Sequence, residues 1–255
     1  MSSTIWTPAA LSSNRRSLTG GCWRLVEAQN KVSTLKLVDS LDEQDLLERL
    51  IEGTKPPIPN ECQGLHFLLS TPFRYDAPYP TGSRFRRAGM TPGVYYAAEC
   101  VRTAVAELSF YRLLFFAESP DTPWPANPNE YTAFCAAYET DRGLDLTAPP
   151  LDRDTATWSH PTHYEPCQSL AETARQAGIQ VIRYASVRDP DKGACLALLT
   201  GAAFREPKPA SFQTWRIYLR GSGIQALCEF PGIRLEFNRS TFTGDARIAA
   251  MRWDR

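Results

Sequence analysis

Helix-period and strand-period segments succeed one another along this chain of 255 residues without regular alternation and without an internal repeat. That irregularity restricts the fold more than any other feature. A parallel sheet needs a crossover, usually a helix, between each pair of strands, and a repeat array needs a recurring unit. The expected class is therefore α+β, with a mixed or mostly antiparallel sheet and few helices. A capping box from Ser40 to Glu43 opens one helix, which sets Leu46, Leu47, Leu50 and Ile51 on one stripe and ends at Gly53 before Pro56 and Pro57. Its stripe is predicted to dock on a core. A second helix is predicted over Val101 to Phe116, and a third over Glu165 to Gln176, stopped by a left-handed cap at Gly178. Strand signals fall at Leu65 to Leu69, Gly93 to Ala98 after a Pro-Gly turn, Tyr131 to Tyr138, and Leu144 to Leu146. More follow near Ile179 to Tyr184, Cys195 to Leu199, Trp215 to Leu219 and Arg234 to Phe237. Residues 1 to about 20 are Ser/Thr-rich and aperiodic, and read as a poorly ordered leader.

Charge and composition remove several classes of function. Twenty-eight basic residues balance twenty-eight acidic ones, which leaves no net field to hold a polyanion and argues against general nucleic-acid binding. No apolar run reaches the roughly 18 to 20 residues of a membrane helix, and the N-terminus has no apolar core after a basic start, so it is not read as a secretory signal. Seven scattered cysteines without a Cys-x-x-Cys suggest reduced thiols and a cytoplasmic setting, and argue against a disulfide framework or a zinc site. His160 and His163 form a close pair but lack a third ligand at metal spacing, so no metal site is expected. The phosphate loop, the dinucleotide fingerprint and the nucleophile elbow are all missing.

One stretch stands out. From Thr81 to Arg112 the chain reads TGSRFRRAGMTPGVYYAAECVRTAVAELSFYR. Glu107 lies within an apolar run, where a carboxylate needs a partner or a task. On pattern alone it is either a helix carboxylate paired with Arg102 or Arg112, or a group kept for chemistry. Arg84, Arg86 and Arg87 are either a solvated basic turn or an anion site; on an extended segment Arg84 and Arg86 share one side and Arg87 points away. Tyr95 and Tyr96 face opposite sides of a strand.

Taken in order, Arg84, Tyr96 in GVYYAAE, Glu107 in TAVAELSFY and Ser186 in VIRYASVRDP resemble the RES-domain toxins. The similarity spans roughly Leu65 to Leu199. The upstream segment resembles the N-terminal extension of a longer RES branch, which divides the chain into a leader and helical extension over 1–60 and a RES domain over 61–255. Where the family often has Gly-Arg-Trp-Asn, this chain has Ser83, Arg84, Phe85 and Arg86, so Phe85 replaces the packing of Trp. The family's early arginine is matched by Arg74 or by Arg24, with Arg74 preferred for its closeness to Arg84. The resemblance implies a split sheet like that of the ADP-ribosyltransferases, holding NAD+ as substrate with no prosthetic group. It also implies cleavage of the nicotinamide-ribose bond by phosphorolysis or hydrolysis, or ADP-ribosyl transfer to a protein, and neutralisation by a cognate Xre-type antitoxin. A nucleotide-binding module without turnover is the alternative, and self-association is left open. In the enzymatic reading Glu107 stabilises positive charge developing on the ribose, Arg84 and Arg74 hold the pyrophosphate, Tyr96 stacks on nicotinamide and Ser186 bonds ribose or phosphate.

Overall fold

The structure is a computed structural model that describes residues 6–27, 34, 37–75, 80–89 and 91–254. Its longest strand, β3 (Asn129–Asp145), alternates buried Tyr131, Ala133, Tyr138 and Leu144 with more exposed positions, as a strand with one covered face should. Along one edge it pairs antiparallel with β1 (Arg16–Glu27), from Arg16 opposite Gly143 to Glu27 opposite Tyr131. The expected leader is thus corrected: Pro8–Ser13 form a helix (α1) and β1 begins at Arg16. β1 exposes most of its first half and carries Gly20 and Gly21, so that half has neither alternation nor β-propensity to announce it; the long partner strand holds it in place. Because β1 pairs with β3, one sheet unites the 1–60 and 61–255 segments.

Along the other edge, β3 meets β4 (Val181–Ala185) in a short parallel ladder and β6 (Ser211–Arg220) in an antiparallel one. β4 continues to β5 (Ala194–Leu198), β5 to β2 (Tyr95–Ala98), and β2 returns to β1 through Ala98 opposite Trp23, which closes a ring of five strands. β6, β7 (Gly223–Cys228) and β8 (Ile233–Asn238) extend the sheet as a meander. The mixed, mainly antiparallel α+β architecture agrees with the sequence reading, although β7 carried no signal of its own.

Two long helices place the site. α4 (Val101–Glu118) packs Val105, Phe110 and Leu113 against Tyr131, Trp215 and Ile217. The four-residue α5 (Thr155–Trp158) leads into α6 (Glu165–Gln176), which buries Leu170, Ala171 and Ala174 against Leu144 and Ile182. α6 ends as expected: Gly178 has φ +69°, and the N–H of Ile179 donates to Ala174 O at 2.9 Å. Two expectations fail. Leu65 to Leu69 is not a strand; α3 (Phe67–Arg74) begins there, with His66 Nδ1 accepting the Leu68 N–H at 3.3 Å. A short apolar run has no intrinsic period to separate strand from helix. The helix opened by Ser40 is present as α2 (Leu41–Thr54), and its Ser40 Oγ accepts the Glu43 N–H. Yet Leu46 and Leu50 are 51% and 61% exposed, so among the described residues the stripe does not dock. α2 is tied instead by an ion pair of Glu52 with Arg74 at 2.6 Å. Among the described residues no helix is long and apolar enough to cross a membrane.

Candidate active site

Glu107 lies on α4 and faces a cleft of about 800 Å³. It does not pair with either neighbouring arginine: Arg102 is bound to Asp191 and Arg112 to Glu27. Its partner is Ser186, whose hydroxyl lies 2.5 Å from Glu107 Oε1. The direction of that bond follows from the other contacts. Ser186 Oγ accepts backbone N–H groups from Arg188 at 3.2 Å and Asp189 at 2.9 Å, which leaves its one proton for the carboxylate. Cys195 Sγ also donates to Oε1, at 3.7 Å. Among the described residues Oε2 has no hydrogen bond and is left to the cleft. Burial raises the Glu107 carboxyl above its ordinary value; the Ser186 hydrogen bond and the charges of Arg188 and Arg84 oppose that rise.

The loop after β4 holds Ser186 in position. The Ser186 N–H donates to Gly193 O at 2.8 Å, and Thr103 of α4 donates to Asp189 Oδ2 at 2.7 Å, which ties the serine loop to the helix that carries Glu107. Gly193 has to be glycine here, because a Cβ at that position would overlap Thr103 Oγ1.

The arginines sit on a turn held from both sides. Ser83 and Arg86 exchange backbone hydrogen bonds at 2.7 and 3.2 Å. Tyr96 Oη accepts the Phe85 N–H at 2.9 Å and lies 2.8 Å from Ser83 Oγ. From α6, Gln168 Nε2 donates to the carbonyls of Ser83 and Arg86. Phe85 packs edge-on to Tyr184 with ring centres 4.9 Å apart. Arg84 and Arg86 both line the cleft, Arg86 with its guanidinium on the carbonyls of Tyr75 and Thr91, while Arg87 pairs with Glu172; the segment is a turn rather than an extended strand.

The RES domain profile matches residues 58–220, well over half of the chain. This chain belongs to the RES domain family. A search of curated proteins returns no match. Among solved structures it is similar to a chain of the M. tuberculosis MbcT-MbcA toxin-antitoxin complex, at 14% sequence identity and a TM-score of 0.45, covering 80% of this chain and 89% of that one.

The four residues that carried the RES resemblance have distinct places. Glu107, Arg84 and Tyr96 line the cleft; Ser186 is 3% exposed and reaches it only through Glu107, where a direct bond to ribose or phosphate was expected. Arg84 Nη1 donates to Trp158 O at 2.6 Å, and its guanidinium lies 4.8 Å from the centre of the Tyr164 ring. The hydroxyl of Tyr96 is committed to the arginine turn, and its backbone carbonyl accepts from Arg24 at 2.9 Å. Arg24 lines the cleft. Arg74 does not: it is directed to Pro56 O and Glu52.

Two cleft arginines of this RES protein escaped the sequence reading. Arg188 is buried 3.6 Å from the centre of the Phe110 ring and donates to Pro161 O at 2.6 Å and Asp245 Oδ2 at 3.3 Å. Arg247, on a short C-terminal helix, α7 (Ala246–Ala249), clasps the same Asp245 carboxylate at 2.9 and 3.0 Å. Hydrogen bonds from Arg247, joined by the charge of Arg188, hold Asp245 below the usual aspartate range. Arg188 stands two residues after Ser186 in VIRYASVRDP and was legible there; nothing around Arg247 marks it.

Proposed function

We propose that the cleft binds NAD+ and cleaves its nicotinamide-ribose bond. The reading rests above all on Glu107, with one carboxylate oxygen held by Ser186 and the other free in a cleft lined by Arg24, Arg84, Arg86, Arg188 and Arg247. As the glycosidic bond breaks, nicotinamide leaves with the bonding electrons and positive charge builds on the ribose. A fixed carboxylate beside the sugar stabilises that charge, and being already oriented it needs no rearrangement during the reaction. Guanidinium groups suit the pyrophosphate because they offer paired donors at fixed geometry. Tyr96, Tyr111 and Tyr184 give the cleft aromatic walls for flat rings. Oxygen from phosphate or water then bonds to C1′; phosphorolysis and hydrolysis differ only in this acceptor.

RES membership supports two further parts of the reading. The ring-closed mixed sheet is taken as an ADP-ribosyltransferase-like arrangement, and the protein as a cytoplasmic toxin countered by an Xre-type antitoxin. The deciding experiment incubates purified protein with NAD+, with and without phosphate, and identifies the products. Hydrolysis should release nicotinamide in both arms, whereas phosphorolysis should release it, together with a phosphorylated ADP-ribose product, only where phosphate is present. Glu107→Gln should keep NAD+ affinity and lose most turnover. Binding of NAD+ without nicotinamide release by the wild type would replace the enzyme with a binding module.

A further inference from the structure

We propose that β8 is a self-association interface: two copies of this chain join their sheets edge to edge along Ile233–Asn238, antiparallel about a two-fold axis at Leu235. β8 ends the strand order, with β7 on its inner side. Its backbone has a defined phase. The β6–β7 hairpin turns in two residues, so its last pair, Arg220 opposite Gly223, must be a hydrogen-bonded pair. Both ladders are regular, and the alternation carries outward: Ile233, Leu235 and Phe237 bond to β7, and the N–H and C=O groups of Arg234 and Glu236 point to the open edge. Among the described residues no backbone hydrogen bond reaches those two residues from beyond the sheet.

An open edge of this kind is usually blunted by lysine, proline, a bulge or an inward charge. β8 reads IRLEFN and has none of these. Its pattern is self-complementary. With the axis at Leu235, Arg234 of each copy lies opposite Glu236 of the other, which makes two hydrogen-bonded pairs and two cross-strand ion pairs on the solvent face. On the core face Leu235 meets its own copy at the close spacing of a non-hydrogen-bonded pair, and Ile233 meets Phe237. The neighbouring registers are worse: an axis at Glu236 sets Glu against Glu, one at Arg234 sets Arg against Arg, and a slip by one residue turns the apolar set to solvent. Phe230, 85% exposed, stands in the turn between β7 and β8.

Sedimentation equilibrium over a micromolar concentration series tests this. The wild type should be dimeric. Arg234→Glu and Glu236→Arg should each weaken association roughly ten- to a hundredfold, because each exchanges two attractive pairs for two repulsive ones. The double exchange restores opposite charges at both pairs and should recover the dimer, which also excludes misfolding as the cause of the single losses. A monomeric wild type, single variants that associate like wild type, or a double exchange that stays monomeric would each overturn the proposal.

Discussion

Replacing Ser186 with alanine removes one hydroxyl and three hydrogen bonds: those accepted from the N–H groups of Arg188 and Asp189, and the one donated to Glu107 at 2.5 Å. A hydrogen bond to a charged group contributes about 1.5 to 3 kcal/mol, so if Ser186 fixes the reacting carboxylate, kcat should fall roughly ten- to a hundredfold while KM changes little. Two N–H groups lose their acceptor, at about 1 to 3 kcal/mol each when fully buried. The loop stays anchored through Gly193 O and the Thr103–Asp189 bond, so a stability loss of about 2 to 4 kcal/mol is expected, or roughly 5 to 15 °C in Tm. The Ser186 bond also holds the Glu107 carboxyl down, so the acid limb of the kcat profile should move to higher pH in the variant. The assay is nicotinamide release across pH, run on Ser186→Ala in the native and Glu107→Gln backgrounds. If Ser186 acts through Glu107, its substitution costs little once Glu107 is gone. A loss in KM alone, or a kcat loss that multiplies in full with that of Glu107→Gln, would refute the reasoning.

Burial raises the Glu107 carboxyl, so as pH climbs past the ordinary carboxylate range the unfolded chain releases this proton first and the folded state loses stability until the folded group also ionises. Glu107→Gln should therefore melt above wild type at neutral pH and converge with it in acid; a pH-independent difference in thermal melts counts against this. Asp245 shifts the other way, so its stabilisation is present above the ordinary aspartate range and is lost as pH falls through its lowered folded value. Asp245→Asn, which leaves buried Arg188 uncompensated, should cost about 3 to 5 kcal/mol at neutral pH and less in acid, as read from denaturant unfolding. Arg84→Ala and Arg24→Ala should raise the KM for NAD+ roughly tenfold or more, whereas Arg87→Ala should leave it unchanged and Arg74→Ala should lower Tm alone. An Arg74 variant with raised KM and native Tm would move the early arginine back into the site.

What could be read in the sequence followed local physics. The Glu165–Gln176 helix was bounded to the residue, because an apolar stripe and a glycine needing positive φ both lie within the segment. β2 and α4 were located by signals just as local, the Pro-Gly turn and the apolar run that follows it, and with them Tyr96 and Glu107. What failed depends on distant partners. β1 exists through β3, more than a hundred residues later, and Arg24 reaches the cleft only because that strand is there. Ser186 was recognised, but its neighbours, which fix where its proton goes, come from a loop whose geometry no periodicity encodes. Leu46 and Leu50 show the opposite error: an amphipathic stripe predicts a covered face, and the described residues do not cover this one.

β1 bears on how such proteins are delimited. It lies outside the matched span of 58–220, yet it contributes Trp23, Arg24 and Leu25 to the cleft and covers β3 from Tyr131 to Gly143. The segment by which relatives are recognised and the segment that builds the cleft are therefore different lengths of chain. A protein trimmed to the recognised span would present an unpaired strand edge and a cleft missing one wall, and would be expected to aggregate before it failed to turn over.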